Sequence, residues 1–275
     1  MATSSSTQRR EEARERAAAM RKAQVAQERR RRFVTIGALG FALLVLAVAV
    51  VWTLLHREAG TDGAATGTAL ADVQTRPSVA LADGGLPMSA EGAGVLDADL
   101  PRVDVYSDYM CPGCGTVETQ NGALLGELVA EGTATVVYHP IAILDRLSAG
   151  TEYSTRSSAA AALVAEQEPS SFEAFHLAMF EAQPAENSTG LTDEEIADIA
   201  RGVGVPDETA DLIADGTATS TYREWVTAAT SDVGTDESLT NPSAGGFTTP
   251  TIAVDGVRWS GSLSDLSDLA AQLRG

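Results

Sequence analysis

The sequence predicts an α/β domain with a helical insertion, preceded by a single N-terminal transmembrane helix. Three observations carry that prediction. Residues 33–55 form an apolar run without a charge. Residues 103–138 and 251–273 alternate as strands do, or repeat at three and four as helices do. Between those two stretches, residues 152–235 hold several helix signals and no convincing strand.

The 275 residues leave room for one good-sized domain with appendages. The formal charge of −19 is distributed unevenly. Residues 1–32 carry ten Arg and Lys against Glu11, Glu12, Glu15 and Glu28, which leaves nine basic and 34 acidic residues, a balance of −25, for the rest. Lys22 is the only lysine. So acidic a body repels nucleic acid, and only the basic tail could meet phosphates. Two cysteines, two residues apart, are too few for a disulfide-stapled scaffold or a four-cysteine zinc site.

Residues 1–32 are therefore expected as a basic cytoplasmic tail. The 23 residues of the 33–55 run would extend ~35 Å as a helix, enough to cross a hydrocarbon core of ~30 Å. Arg29 to Arg32 abut its start, and positive charge stays inside, so the N-terminus is expected in the cytoplasm and the body outside it. Trp52 suits the outer interface. A cleaved signal peptide is the alternative, with Ala69-Leu70-Ala71 imitating a cleavage site, but the apolar run is longer than such peptides carry. Residues 56–76, rich in Gly, Ala and Thr, read as a flexible tether. The folded part, residues 77–275, is expected to open near Pro77 with a short hairpin of 78–81 against 86–88.

Residues 103–106 alternate and read as a strand leading into Cys111-Pro112-Gly113-Cys114. Cys114, Val117, Asn121, Leu124 and Leu128 then mark one helix face, and Pro112 fits the first helical turn. Residues 135–138 are the next strand, stopped by Pro140. The insertion over about 152–235 reads as helices opened by Ser170 with Glu173 and by Thr192 with Glu195, a short one over 207–216, and a fourth striped by Tyr222, Trp225, Val226, Ala229 and Val233. The Phe172, Phe175, Met179 and Phe180 stripe reads as core before it reads as a substrate groove. At the far end, residues 251–254 and 257–259 flank Asp255-Gly256, a strong hairpin signal. Ser262 is expected to cap a last helix whose inner face is Leu263, Leu266, Leu269 and Leu273.

This order of elements resembles the DsbA-like branch of the thioredoxin superfamily. YSDYMCPGC is similar to that family's active-site segment, and GGFTTPTIAVDG to its cis-proline segment; the resemblance covers roughly residues 77–275. It implies a thioredoxin-like fold and a thiol–disulfide oxidoreductase, an oxidase before a reductase or isomerase, with no cofactor beyond a redox-active Cys111–Cys114 disulfide. It further implies that Pro250 is cis beside Cys111 and that Thr249 offers backbone groups to an extended substrate. The implied partners are cysteine-containing exported proteins and a membrane redox partner that recycles the site. The buried acid that assists proton transfer in relatives has no clear match, its strand position being Val105; Asp104 and Asp108 are the candidates nearby, each also readable as a solvated or turn-forming residue.

The chemistry follows from a helix start. A sulfur there meets unpaired N–H groups and the positive end of the helix dipole, which favour its thiolate. Cys111 is thus expected to attack and Cys114, one turn in, to resolve. Gly113 offers the thiolate no side chain and the acidic background opposes it, so the expected potential is intermediate, on the order of −160 to −230 mV. Three alternatives stay open: a structural disulfide, half of a zinc site completed by His56, His139 or His176, and a redox-inactive binding or assembly module on the same scaffold.

Overall fold

The alternating residues after Pro101 become the central strand of a six-stranded sheet in the computed structural model, which describes residues 68–90 and 92–275. The basic tail, the expected membrane span and the start of the tether lie outside those residues. Among the described residues no helix is long and apolar enough to cross a membrane. The strands are β1 (Leu86–Ser89), β2 (Gly92–Ala93), β3 (Arg102–Ser107), β4 (Thr135–Pro140), β5 (Thr251–Val254) and β6 (Val257–Arg258). Their order is β2-β1-β4-β3-β5-β6. Only β3 and β4 run parallel, with Val105 beside Tyr138; the other pairs are antiparallel. A parallel pair needs a crossover, and α1 (Pro112–Ala130) supplies it.

Strand alternation gives the sheet two faces. Val103, Val105 and Ile252 join Val117, Leu125 and Leu128 of α1 in the main core. Asp104, Tyr106 and Ala253 alternate with them, and Tyr106 and Ala253 pack in a smaller cluster with Val233 and Leu239. Leu125 is buried and Leu124 only half-buried, a small rotation from the expected α1 stripe.

The insertion contains α2 (Tyr153–Gln167), α3 (Phe172–Glu181), α4 (Asp193–Gly202), α5 (Asp207–Ala214) and α6 (Thr217–Thr235). The α2 helix had no counterpart among the expected elements. Twelve of its fifteen residues are buried, so its sequence shows no amphipathic stripe to detect. Phe172, Phe175, Met179 and Phe180 are core, as their stripe suggested. The Thr192–Glu195 capping box is complete, with the threonine hydroxyl accepting from the Glu195 N–H at 3.2 Å and the carboxylate accepting from the Thr192 N–H at 2.7 Å. Ser170 caps nothing: it lies in a 3-10 turn, Pro169–Ser171, that leads into α3.

Three further expectations change. Residues 78–81 are not a strand, because the Ala80 N–H bonds to Pro77 and Leu81 closes a turn with Gly84 and Gly85. The partners of β1 are instead β2 and β4. The ordered domain begins before Pro77, since Leu70 and Val73, in the segment read as tether, are buried in the core. The last helix, α7 (Ser267–Arg274), starts later than Ser262. The Ser262 hydroxyl does accept from the Asp265 N–H, at 3.2 Å. Asn121 then takes the backbone over, accepting from the Leu266 N–H at 2.9 Å and donating to the Leu263 carbonyl at 3.3 Å. One buried amide of α1 therefore holds the lead-in to α7 out of the helix.

Candidate active site

Cys111 is the residue before α1, with extended backbone, and Pro112 fills the first helical position as expected. Its sulfur receives hydrogen bonds from the Cys114 thiol, from Thr249 and from the N–H groups of Cys114 and Gly113, and these outweigh burial to lower its pKa to about 6. As a thiol it lies 3.5 Å from the Thr249 carbonyl. Cys114 lies one helical position beyond Gly113 and is fully buried. Burial, then its bond to Cys111 and the charge there, push its thiol well above the ordinary value. One motif thus holds two sulfurs in opposed surroundings, Cys111 favouring the thiolate and Cys114 the thiol.

The far hairpin completes the site. Thr249-Pro250 is cis, and the Pro250 ring covers the turn: a Cβ on Gly113 would lie 2.9 Å from its Cδ. Gly113 is therefore needed for the close approach of that ring, and it adds no side chain of its own beside the sulfur. Asp255 and Gly256 have φ of 49° and 77°, the left-handed pair that a tight hairpin requires.

Of the two acidic candidates, one belongs here. Asp108 is fully buried, and its Oδ1 accepts from the Met110 N–H at 2.9 Å and the Ser154 hydroxyl at 2.7 Å, its Oδ2 from the Leu144 N–H at 2.9 Å. It forms the turn that its sequence suggested, but it is not solvated. Burial raises its pKa to about 6 against those three bonds, and the nearby Cys111 charge adds to the rise. Its own N–H reaches the Cys114 sulfur.

Asp104 does not belong here. It projects from the other face of β3, where Arg102 and His139 both bond to its Oδ1, the histidine at 2.8 Å. The period-two alternation of the strand separates it from Val105 and α1. Asp83, Asp104 and His139 gather potential metal ligands within 4.8 Å, but Arg102 already supplies the positive charge, its Nη2 2.7 Å from Asp83. His139 is thus structural, stacked on Tyr106 with ring centres 4.1 Å apart.

Two residues that were not singled out in the sequence also approach. Glu118, one turn after Cys114 on the same buried face, accepts from the Ser107 hydroxyl at 3.1 Å and lies 3.2 Å from His176 Nε2. His176 Nδ1 pairs with the Tyr109 hydroxyl at 2.8 Å, so it is packed, as expected of it. The i to i+4 spacing from Cys114 was a usable signal for Glu118. Gln183, just beyond α3, donates to the carbonyls of Tyr109 and Cys111 at 3.0 and 2.9 Å. No local pattern marks it.

Comparison with known proteins agrees with this geometry. A family profile described as Thioredoxin matches residues 94–273. The structure is similar to reduced DsbA from Mycobacterium tuberculosis, with 28% identity, a TM-score of 0.55, and coverage of 70% of this chain and 92% of that one. It is similar also to the reduced disulfide bond oxidoreductase DsbG of that organism, with 28% identity, a TM-score of 0.56, and coverage of 69% and 86%. MdbA, a thiol-disulfide oxidoreductase from Corynebacterium diphtheriae, shares the fold at 19% identity and a TM-score of 0.57, over 78% of this chain and 99% of that one. Among curated proteins, the serine/threonine-protein kinase PknE of M. tuberculosis is 32% identical over 131 residues, 46% of this chain. The match spans only 23% of the kinase's length.

Proposed function

The chain belongs to the thioredoxin family, in its DsbA-like branch, as a thiol–disulfide oxidoreductase, and we propose that it works at the cell membrane, exchanging disulfides with exported proteins through Cys111 and Cys114. The observation that carries this reading is the opposed environment of the two sulfurs: Cys111 lies among hydrogen-bond donors at a helix start, and Cys114 is buried behind it. In the oxidising direction a substrate thiolate attacks the Cys111 sulfur, and the Cys111–Cys114 bond breaks toward Cys114. Cys114 takes a proton, and Asp108 is the buried acid next to it. A second substrate thiolate then attacks the mixed disulfide and expels Cys111 as a thiolate. Two electrons pass from substrate to the pair, and a membrane redox partner returns the pair to the disulfide. The same steps reversed would reduce a substrate.

The 33–55 run and the arginines before it support a cytoplasmic N-terminus with the catalytic domain outside. One experiment tests chemistry and side together. In cells making Cys114→Ser, mixed disulfides with exported proteins should accumulate, and protease added to intact protoplasts should release them; Cys111→Ser should trap nothing. Equal trapping by both variants would overturn the roles, and complete protection of the adducts would overturn the orientation.

A further inference from the structure

Three residues of the helical insertion hydrogen-bond back to the residues just before the catalytic helix. Ser154 of α2 bonds to Asp108 and His176 of α3 to the Tyr109 hydroxyl. The third contact is different, because it grips backbone. A single nitrogen, Gln183 Nε2, donates to the carbonyls of both Tyr109 and Cys111, at 3.0 and 2.9 Å. The Cys111 carbonyl also accepts the Gly115 N–H, at 3.1 Å, as the first bond of α1. Gln183 therefore fixes the peptide from which the Cys111 side chain projects.

A second observation concerns Gly115. Glycine inside a helix is unfavourable relative to alanine, yet Gly115 lies in the first turns of α1 and is buried. The reason is space: a Cβ there would lie 2.4 Å from Gln183 Oε1. The glycine leaves the room in which the amide sits.

We infer that Gln183 is a positioning residue for the redox reaction: seated against Gly115, it holds the Cys111 backbone so that the sulfur meets its N–H donors, and it ties the helical insertion to the reactivity of the site. The inference rests on Cys111 being the attacking sulfur. It adds to that role an element, the insertion, that contributes no reacting group.

Two variants of the full-length protein in detergent separate positioning from folding. Gly115→Ala displaces the amide without touching it, and should leave the helix intact or better formed. Gln183→Met keeps the side chain's length and removes its donors. Cys114, Asp108 and Thr249, the groups that face Cys111, are unchanged in both. Thiolate absorbance followed against pH should place the wild-type midpoint at about 6. Each variant should raise it by on the order of one pH unit, the size of one lost hydrogen bond. Attack on a small disulfide at the wild-type midpoint should slow about twofold, the loss of thiolate being partly offset by the greater nucleophilicity of a more basic sulfur, and the double variant should be no worse than either single one. Folded variants that titrate and react like the wild type, or whose effects add, would overturn the proposal. A wild-type midpoint near the ordinary value of about 8.5 would instead remove its premise, that Cys111 is the attacking sulfur, and the proposal with it.

Discussion

Cys111 and Cys114 differ in environment by the few ångströms that separate a helix end from its interior. That difference was legible, because two intervening residues at a helix start place the first sulfur among N–H groups and the second one turn deeper. The surroundings of Asp108 were not, since Ser154 and Leu144 come from distant parts of the chain. Glu118 lay in plain view on the Cys114 face and would have followed from strict helical counting. A pH dependence follows from the sulfurs. The Cys111 pKa is lowered to about 6, so its thiolate stabilises the reduced fold fully above the ordinary thiol value, and that contribution is lost as pH falls through about 6. Cys114, raised, stays protonated across this window. Asp108, raised to about 6, has the opposite sign, favouring the fold at lower pH, but it is present in both redox forms and largely cancels in their difference. The melting temperature of the reduced protein should therefore gain on that of the oxidised protein as pH rises from about 6 to about 8.5. Calorimetry on the two forms reads this directly, and a flat difference would mean that the donors do not stabilise the thiolate.

Among the elements, those with local chemistry of their own were readable and those defined by burial were not. The Asp255-Gly256 hairpin and the Thr192–Glu195 box were each specified by neighbouring residues. The α2 helix was hidden because a Ser- and Ala-rich helix buried all round has no polar face to set a period. The start of α7 was misplaced because Asn121, more than a hundred residues away, competes for its backbone. The capping box gives a measurable term at this scale. Thr192→Ala removes the acceptor for the Glu195 N–H and should cost about 1 kcal/mol. For a domain of this size that lowers the melting temperature by roughly 2–4 °C. The Cys111 thiolate titration should not move, because α4 makes no contact with the redox loop among the hydrogen bonds described above. A shift in that titration would show that α4 is coupled to the site.

The whole molecule adds a field. Residues 33–275 carry a balance of −25 with no lysine, so the site works inside a negative envelope that favours positively charged partners. At low salt the protein should exchange with cystamine faster than with oxidised glutathione by on the order of tenfold, after correction for their intrinsic reactivities. The ratio should fall toward unity as salt rises past 0.1 M, where screening acts within ~10 Å. Stopped-flow rates across a salt series measure it, and a ratio indifferent to salt would place the preference in contacts at the site. This charge was readable from composition alone; the convergence of insertion and frame on one loop was not, because it depends on long-range packing.

The sheet ends on both sides in strands of two residues, Gly92–Ala93 and Val257–Arg258. For the proposed exchange with exported chains an open sheet edge is a particular hazard, since any long unpaired strand would invite a substrate to pair as one more strand and stay. Two-residue borders offer almost no length for such pairing. On the function proposed above, the Thr249 backbone beside the sulfur would then be where a chain pairs, reacts and leaves.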